Sequence, residues 1–192
     1  MQSKKLLFAL LGIPLLLGLI FLFQAFQGNE SSTTLQESGK FIVKFDKNKK
    51  YELAGESFDL RSFDVRERLE REILVNANWI SSTTINIKRS ARFFPVFSEI
   101  LAKNGVPDDF KYLAVAESNL ELKGSPAGAI GLWQFMKDTG KEFGLKINEQ
   151  VDERYHTEKA TEAFCAKIKK DKERFGSWIT TMAAYNMGRG ND

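Results

Sequence analysis

The chain has 192 residues, 43% of them hydrophobic and 28% charged, which allows one core of ordinary globular composition and excludes disorder beyond a linker. Its 28 basic and 25 acidic residues leave a formal net charge of +3, too small an excess to argue for nucleic acid as a partner. One cysteine, Cys165, and one histidine, His156, exclude an intramolecular disulfide and a zinc cluster of the usual ligands, and neither metal nor cofactor is expected.

After Lys4 and Lys5, residues 6–23 carry no charge. As a helix this stretch would be about 27 Å long at about 1.5 Å per residue, enough to span a bilayer. The lysines before it, with none after it until Lys40, predict the N-terminus in the cytoplasm and the rest outside. Residues 1–26 are thus read as a membrane anchor or a cleaved signal segment. Either exports the chain to the cell envelope, on the periplasmic side. Residues 27–61, rich in Ser, Thr, Gln, Glu and Gly at their start, read as a linker. Within it, Phe41, Val43 and Phe45 alternate as in a short strand.

An amphipathic helix is predicted from Ser62 or Asp64, because Val65, Leu69, Ile73, Ala77 and Ile80 recur at intervals of three and four. A second short helix is expected over 81–92, stopped by Pro95, which then begins a third carrying Val96, Phe97, Ile100 and Leu101. Asn104 and Gly105 end that helix. Another starts at Val106-Pro107-Asp108-Asp109, with its acids in the first turn. Phe110, Leu113 and Glu117 share a face of it, so Glu117 falls at its last turn among apolar neighbours. The negative end of the helix dipole and those neighbours both favour a protonated carboxyl, as a general acid requires. From position alone, a surface glutamate followed by a Ser-Asn cap is the commoner reading of Glu117.

Downstream, residues 125–131 have no helical period and lead into Leu132-Trp133-Gln134-Phe135-Met136. Thr157 is placed at the start of a helix carrying Ala160, Ala163, Phe164 and Ile168, ending near Gly176. Ser177 caps a last helix in which Trp178, Met182 and Tyr185 share a face. Asp152 and Glu153 are the remaining carboxylates of interest, read as capping or pairing around Arg154. His156 reads as a polar residue at a helix start, with no nucleophile motif near it.

Glu117-Ser118, then Gly131 to Met136, then Ala184-Tyr185-Asn186, in that order and spacing, resemble the lytic murein transglycosylases of the membrane-bound type D kind, in the goose-lysozyme-like superfamily. The resemblance covers roughly residues 80 to 190. It implies a mainly helical, all-α lysozyme-like transglycosylase domain over 62–192, with its catalytic core at about 95–192. It also implies an enzyme, a lyase of murein turnover that cleaves the bond between N-acetylmuramic acid and N-acetylglucosamine in peptidoglycan and leaves 1,6-anhydromuramoyl ends. Glu117 would be the single acid and base. Ser125, Gln134, Tyr185 and Asn186 would contact or support the sugar, with Ser118, Trp133 and Phe135 lining the groove or the core. The expected partners are glycan strands and, through the N-terminal helix, the membrane; a monomer is expected. A hydrolytic muramidase and an inactive peptidoglycan-binding envelope protein are the alternatives. Residues 119–124 lack the proline common in that loop of the family. The chain also stops six residues after Asn186, where members usually continue, so a truncated domain is expected.

Overall fold

Extended backbone at Ser62 gives way to α1 (Phe63–Asn78), whose buried Leu69, Ile73 and Ala77 keep the four-residue spacing that a one-sided apolar stripe requires. The stripe stops there, because Ile80 is exposed and opens the next helix. The computed structural model describes residues 34–37, 40–43, 51–58 and 60–186, and only the backbone at residues 34–37, 40–43, Phe58 and Asn186. The apolar segment read as an anchor or signal lies outside the described residues. Among those described, no helix is long and apolar enough to cross a membrane.

The largest correction to the sequence reading is α2 (Ile80–Lys103), one helix of 24 residues where two were expected, with Pro95 inside it. An interior proline costs roughly 3 kcal/mol. Phe93, Phe94, Phe97, Ile100 and Leu101 are buried on both sides of it, and each contributes about 1.5 to 3 kcal/mol on full burial. Burial therefore outweighs the proline. Pro95 and Ala91, whose carbonyl loses its helical partner, are both exposed, so the lost bond lies on the solvent side of the helix.

A 3-10 turn (Asp108–Phe110) leads into α3 (Lys111–Ser118). The short α4 (Lys137–Glu142) and a second 3-10 turn (Glu153–Tyr155) precede α5 (Thr157–Phe175) and α6 (Trp178–Asn186). Helices α2 and α6 both pack on α5. Between them Trp133 stacks on Phe164 with ring centroids 3.7 Å apart, and Phe97 closes on Trp133 at 4.9 Å. Phe110, Phe164, Leu113 and Ile168 complete a core with no measurable exposure.

The fold is mainly helical but not all-α. Strands β1 (Thr34–Glu37) and β2 (Lys40–Val43) form an antiparallel hairpin, with β2 running beside α1. Strands β3 (Tyr51–Leu53) and β4 (Glu56–Phe58) form a second, joined by a turn in which Ala54 and Gly55 both have positive φ. The stretch read as a linker is corrected here. Tyr51, Leu53, Ala54 and Leu60 are buried in the same core as the helices, so the folded unit begins before residue 62.

Candidate active site

Helix α3 is short and almost wholly internal, since Tyr112, Leu113, Ala114 and Val115 are all buried. It ends because Asn119 adopts a left-handed conformation (φ 53°), with its N–H returning to Val115 O at 2.9 Å. Glu117 therefore lies in the last turn, half-buried. Among the described residues its carboxyl has no hydrogen-bond or ion-pair partner. Burial pushes its pKa up to about 7, and the Lys167 cation holds back part of that rise. At neutral pH such a group can give a proton and take one back.

The electrostatic neighbours of Glu117 come from α5 and α6. Lys167 Nζ pairs with Asp171 Oδ2, both side chains being largely buried, and lies 4.7 Å over the Tyr185 ring. Tyr185 sets its ring edge on Phe164 at 5.3 Å and donates its hydroxyl proton to Trp133 O at 2.6 Å. Burial pushes the Tyr185 hydroxyl well above its ordinary pKa, and the charges of Glu117 and Asp171 add to this, so it stays a neutral phenol. Sequence reasoning missed Lys167 and Asp171. A signal was present, because Asp171 continues the buried stripe of Phe164 and Ile168 and has a lysine four residues before it.

The loop from 119 to 136 is folded on itself by backbone bonds. Gly131 N donates to Lys123 O at 3.0 Å, while Ile130 and Phe135 exchange bonds at 3.0 and 3.1 Å. Gly131 has φ 83°, and a Cβ on it would lie 2.0 Å from Arg154 O, so no other residue fits there. Arg154 is the buried hub of this loop. It donates to both carboxylate oxygens of Asp152, at 2.9 and 2.7 Å, and its Nη1 reaches Gly128 O and Phe135 O, each at 3.1 Å. The guanidinium bonds hold the Asp152 carboxyl below its ordinary range. Glu153 accepts from Lys146 N at 2.8 Å and pairs with Lys159. Asp152 thus pairs with Arg154 as expected, whereas Glu153 ties Lys146 to Lys159 and does not bond Arg154.

Three residues read as groove or core are core. Ser118, Trp133 and Phe135 are 1%, 0% and 2% exposed, too buried to touch a ligand, and they support the site from behind. Ser118 Oγ shares its proton between Ala114 O at 2.9 Å and Leu132 O at 3.0 Å, tying α3 to the loop. Trp133 Nε1 donates to Thr161 Oγ1 at 2.9 Å. Ser125 is engaged within its own turn, where its Oγ accepts from Ala129 N at 3.0 Å. Gln134, at φ 49°, donates through Nε2 to Gly131 O (2.8 Å) and Lys123 O (3.1 Å), which leaves its carbonyl as the part without a partner among the described residues. Asn186 closes α6, and its side chain lies outside the described residues. Among the described residues no group of three or more His, Cys, Asp or Glu could hold a metal ion.

A family model described as the transglycosylase SLT domain matches residues 95–192. The membrane-bound lytic murein transglycosylase D of Escherichia coli K12 is 28% identical over 128 residues, covering 66% of this chain and 27% of that protein. Its counterpart in Escherichia coli O6:H1 matches to the same extent. The chain spans 27% of the length of these relatives.

Proposed function

The chain belongs to the transglycosylase SLT domain family, and from that premise we propose that it is a peptidoglycan lytic transglycosylase with Glu117 as its single acid and base. The observation that carries this reading is the half-buried Glu117 carboxyl, unpaired among the described residues, with its pKa pushed up to about 7. Ordinary glycosidases flank the scissile bond with two carboxylates. Here Asp152, Glu153 and Asp171 are all committed to cationic partners.

In the proposed reaction, protonated Glu117 donates to the glycosidic oxygen between N-acetylmuramic acid and N-acetylglucosamine as that bond breaks. The N-acetyl carbonyl of the muramoyl unit stabilises the electron-deficient anomeric carbon from the other face. Glu117, now a carboxylate, takes the proton of the 6-hydroxyl as its oxygen closes onto that carbon, which forms the 1,6-anhydro end and restores the acid. Tyr185 acts by holding the Trp133 carbonyl and the turn that follows, and the Gln134 side-chain carbonyl accepts from a sugar hydroxyl or amide. An envelope location and attachment to the membrane through residues 1–26 complete the reading.

Digestion of purified peptidoglycan with the full chain tests it. Mass spectrometry is expected to find 1,6-anhydromuramoyl products, and Glu117→Gln is expected to lower their rate by at least about a hundredfold. Reducing ends without anhydro sugar would replace the transglycosylase with a muramidase. Binding without turnover, equal in both proteins, would leave an envelope-binding protein.

A further inference from the structure

Helix α6 begins with a problem that its own sequence solves only in part. Its nine residues are too few for a stable isolated helix, and the first-turn N–H groups need acceptors. Ser177 Oγ takes the Thr180 N–H at a long 3.3 Å. Those of Trp178 and Ile179 go to a residue 122 and 123 positions earlier in the chain. The Glu56 carboxylate, on β4, accepts from Trp178 N at 2.7 Å, from Ile179 N at 3.2 Å and from the Ser177 hydroxyl, with Lys172 Nζ at 3.5 Å. A negative charge on the positive end of a helix dipole is favourable as well.

The hairpin that carries Glu56 is itself fixed at a second point. Leu53 is 1% exposed, and Ala54 N, in the turn, donates to Asp109 Oδ2 at 2.6 Å. Asp109 lies in the 3-10 turn that opens directly into α3. One hairpin therefore grips the starts of both helices whose far ends carry Glu117 and Tyr185. Trp178 strengthens the α6 contact, with its ring edge on Phe110 at 5.3 Å and the Lys172 cation 5.3 Å from its face. Tyr185 stands seven residues along α6, about 10 Å from Trp178 at roughly 1.5 Å per residue, so a small tilt at the start of the helix displaces the hydroxyl that meets Trp133 O.

We propose that Glu56, outside the family-matched segment, is a positioning residue of the active site: it caps α6 from the N-terminal hairpin and so holds Tyr185 against the Trp133 carbonyl beside Glu117. The catalytic consequence rests on the function proposed above; the structural one does not.

The test uses the full chain with Glu56→Ala and Glu56→Gln, well below the unfolding temperature of each. Glu56→Ala is expected to speed amide exchange at Trp178 and Ile179 about tenfold and to move the Tyr185 ring resonances, which the facing Phe164 ring displaces. It is also expected to lower kcat about tenfold while KM changes by less than about twofold, the pattern of lost transition-state alignment. Glu56→Gln keeps one of the two acceptor oxygens that take the Trp178 and Ile179 amides, and should recover part of kcat and part of the Tyr185 shift. Faster exchange with unmoved Tyr185 resonances and unchanged kcat would make Glu56 a stability cap only and overturn the positioning role. Unchanged exchange in Glu56→Ala would overturn the cap itself. If the wild-type chain forms no anhydro product, the functional reading fails, while exchange and the Tyr185 resonances still decide whether Glu56 positions the site.

Discussion

Glu117 is held where its charge is unwelcome, and two measurements follow from that. A general acid must be protonated for the first step, so turnover should fall as pH rises through about 7. Replacing the neighbouring pair, as Lys167→Met with Asp171→Leu, removes the cation that lowers the Glu117 pKa, and the alkaline limb of the pH profile should move upward. An unmoved limb would show that Lys167 does not act on Glu117. The second measurement is stability. A carboxyl whose folded pKa is raised from 4.5 to about 7 binds its proton more tightly in the native state, so stability falls as pH rises between those values. Glu117→Gln should therefore be more stable than wild type at pH 8, by about 1 to 3 kcal/mol, and equal to it at pH 4. Equal stability at both pH values in denaturant titrations would contradict the burial of the charge.

At the level of elements, periodicity located α1 and α5 because each buries one face at helical spacing, while start signals at Asp108-Asp109 and Ser177 located α3 and α6, which are buried at consecutive positions. The sequence reading divided α2 in two because a proline reads as a stop when only local conformation is considered. The phenylalanines on both sides of Pro95 overrule it through contacts with α3 and the core, which no local window contains. The loop from 119 to 136 gave even less warning, since its shape comes from Arg154, nearly twenty residues beyond its end. Gly131→Ala tests that packing. A Cβ 2.0 Å from a backbone oxygen at a positive φ must displace the Arg154 segment, at a cost of about 2 to 4 kcal/mol. The melting temperature should fall by roughly 5 to 12 °C. A fall under about 2 °C would mean that loop and Arg154 are not locked together.

For the whole molecule, opposite electrostatic slopes define a stability optimum. At Glu56, burial raises the pKa, but the bonds from Ser177, Trp178, Ile179 and Lys172 together bring it below 4.5; at Asp152 the Arg154 bonds bring it below 3.8. Such depressed carboxyls contribute stability that is present above those values and lost as pH falls through the folded pKa. Glu117 acts in the other direction above 4.5. Thermal unfolding across pH should thus show a maximum in the mildly acidic range, near the point where these slopes meet. In Glu117→Gln the decline toward pH 8 should flatten, and in Glu56→Gln the acid decline should become shallower. Wild-type stability that keeps rising from pH 5 to 8 would contradict this balance of charges.

What the sequence by itself determined was whatever depends on neighbours in the chain. The apolar stripes of the helices, the carboxyl at the end of α3 and the pairing of Asp152 with Arg154 all lie within a few residues of their causes. The ordered motifs from Glu117 to Tyr185 named the family for the same reason. Only the tertiary structure could decide the rest. It placed Trp133 and Phe135 under the site instead of in it, set Lys167 and Asp171 beside Tyr185, and brought Glu56 across 121 residues to the start of α6. Those outcomes depend on which surfaces meet, and a buried partner distant in the chain leaves no periodic mark on the sequence around it.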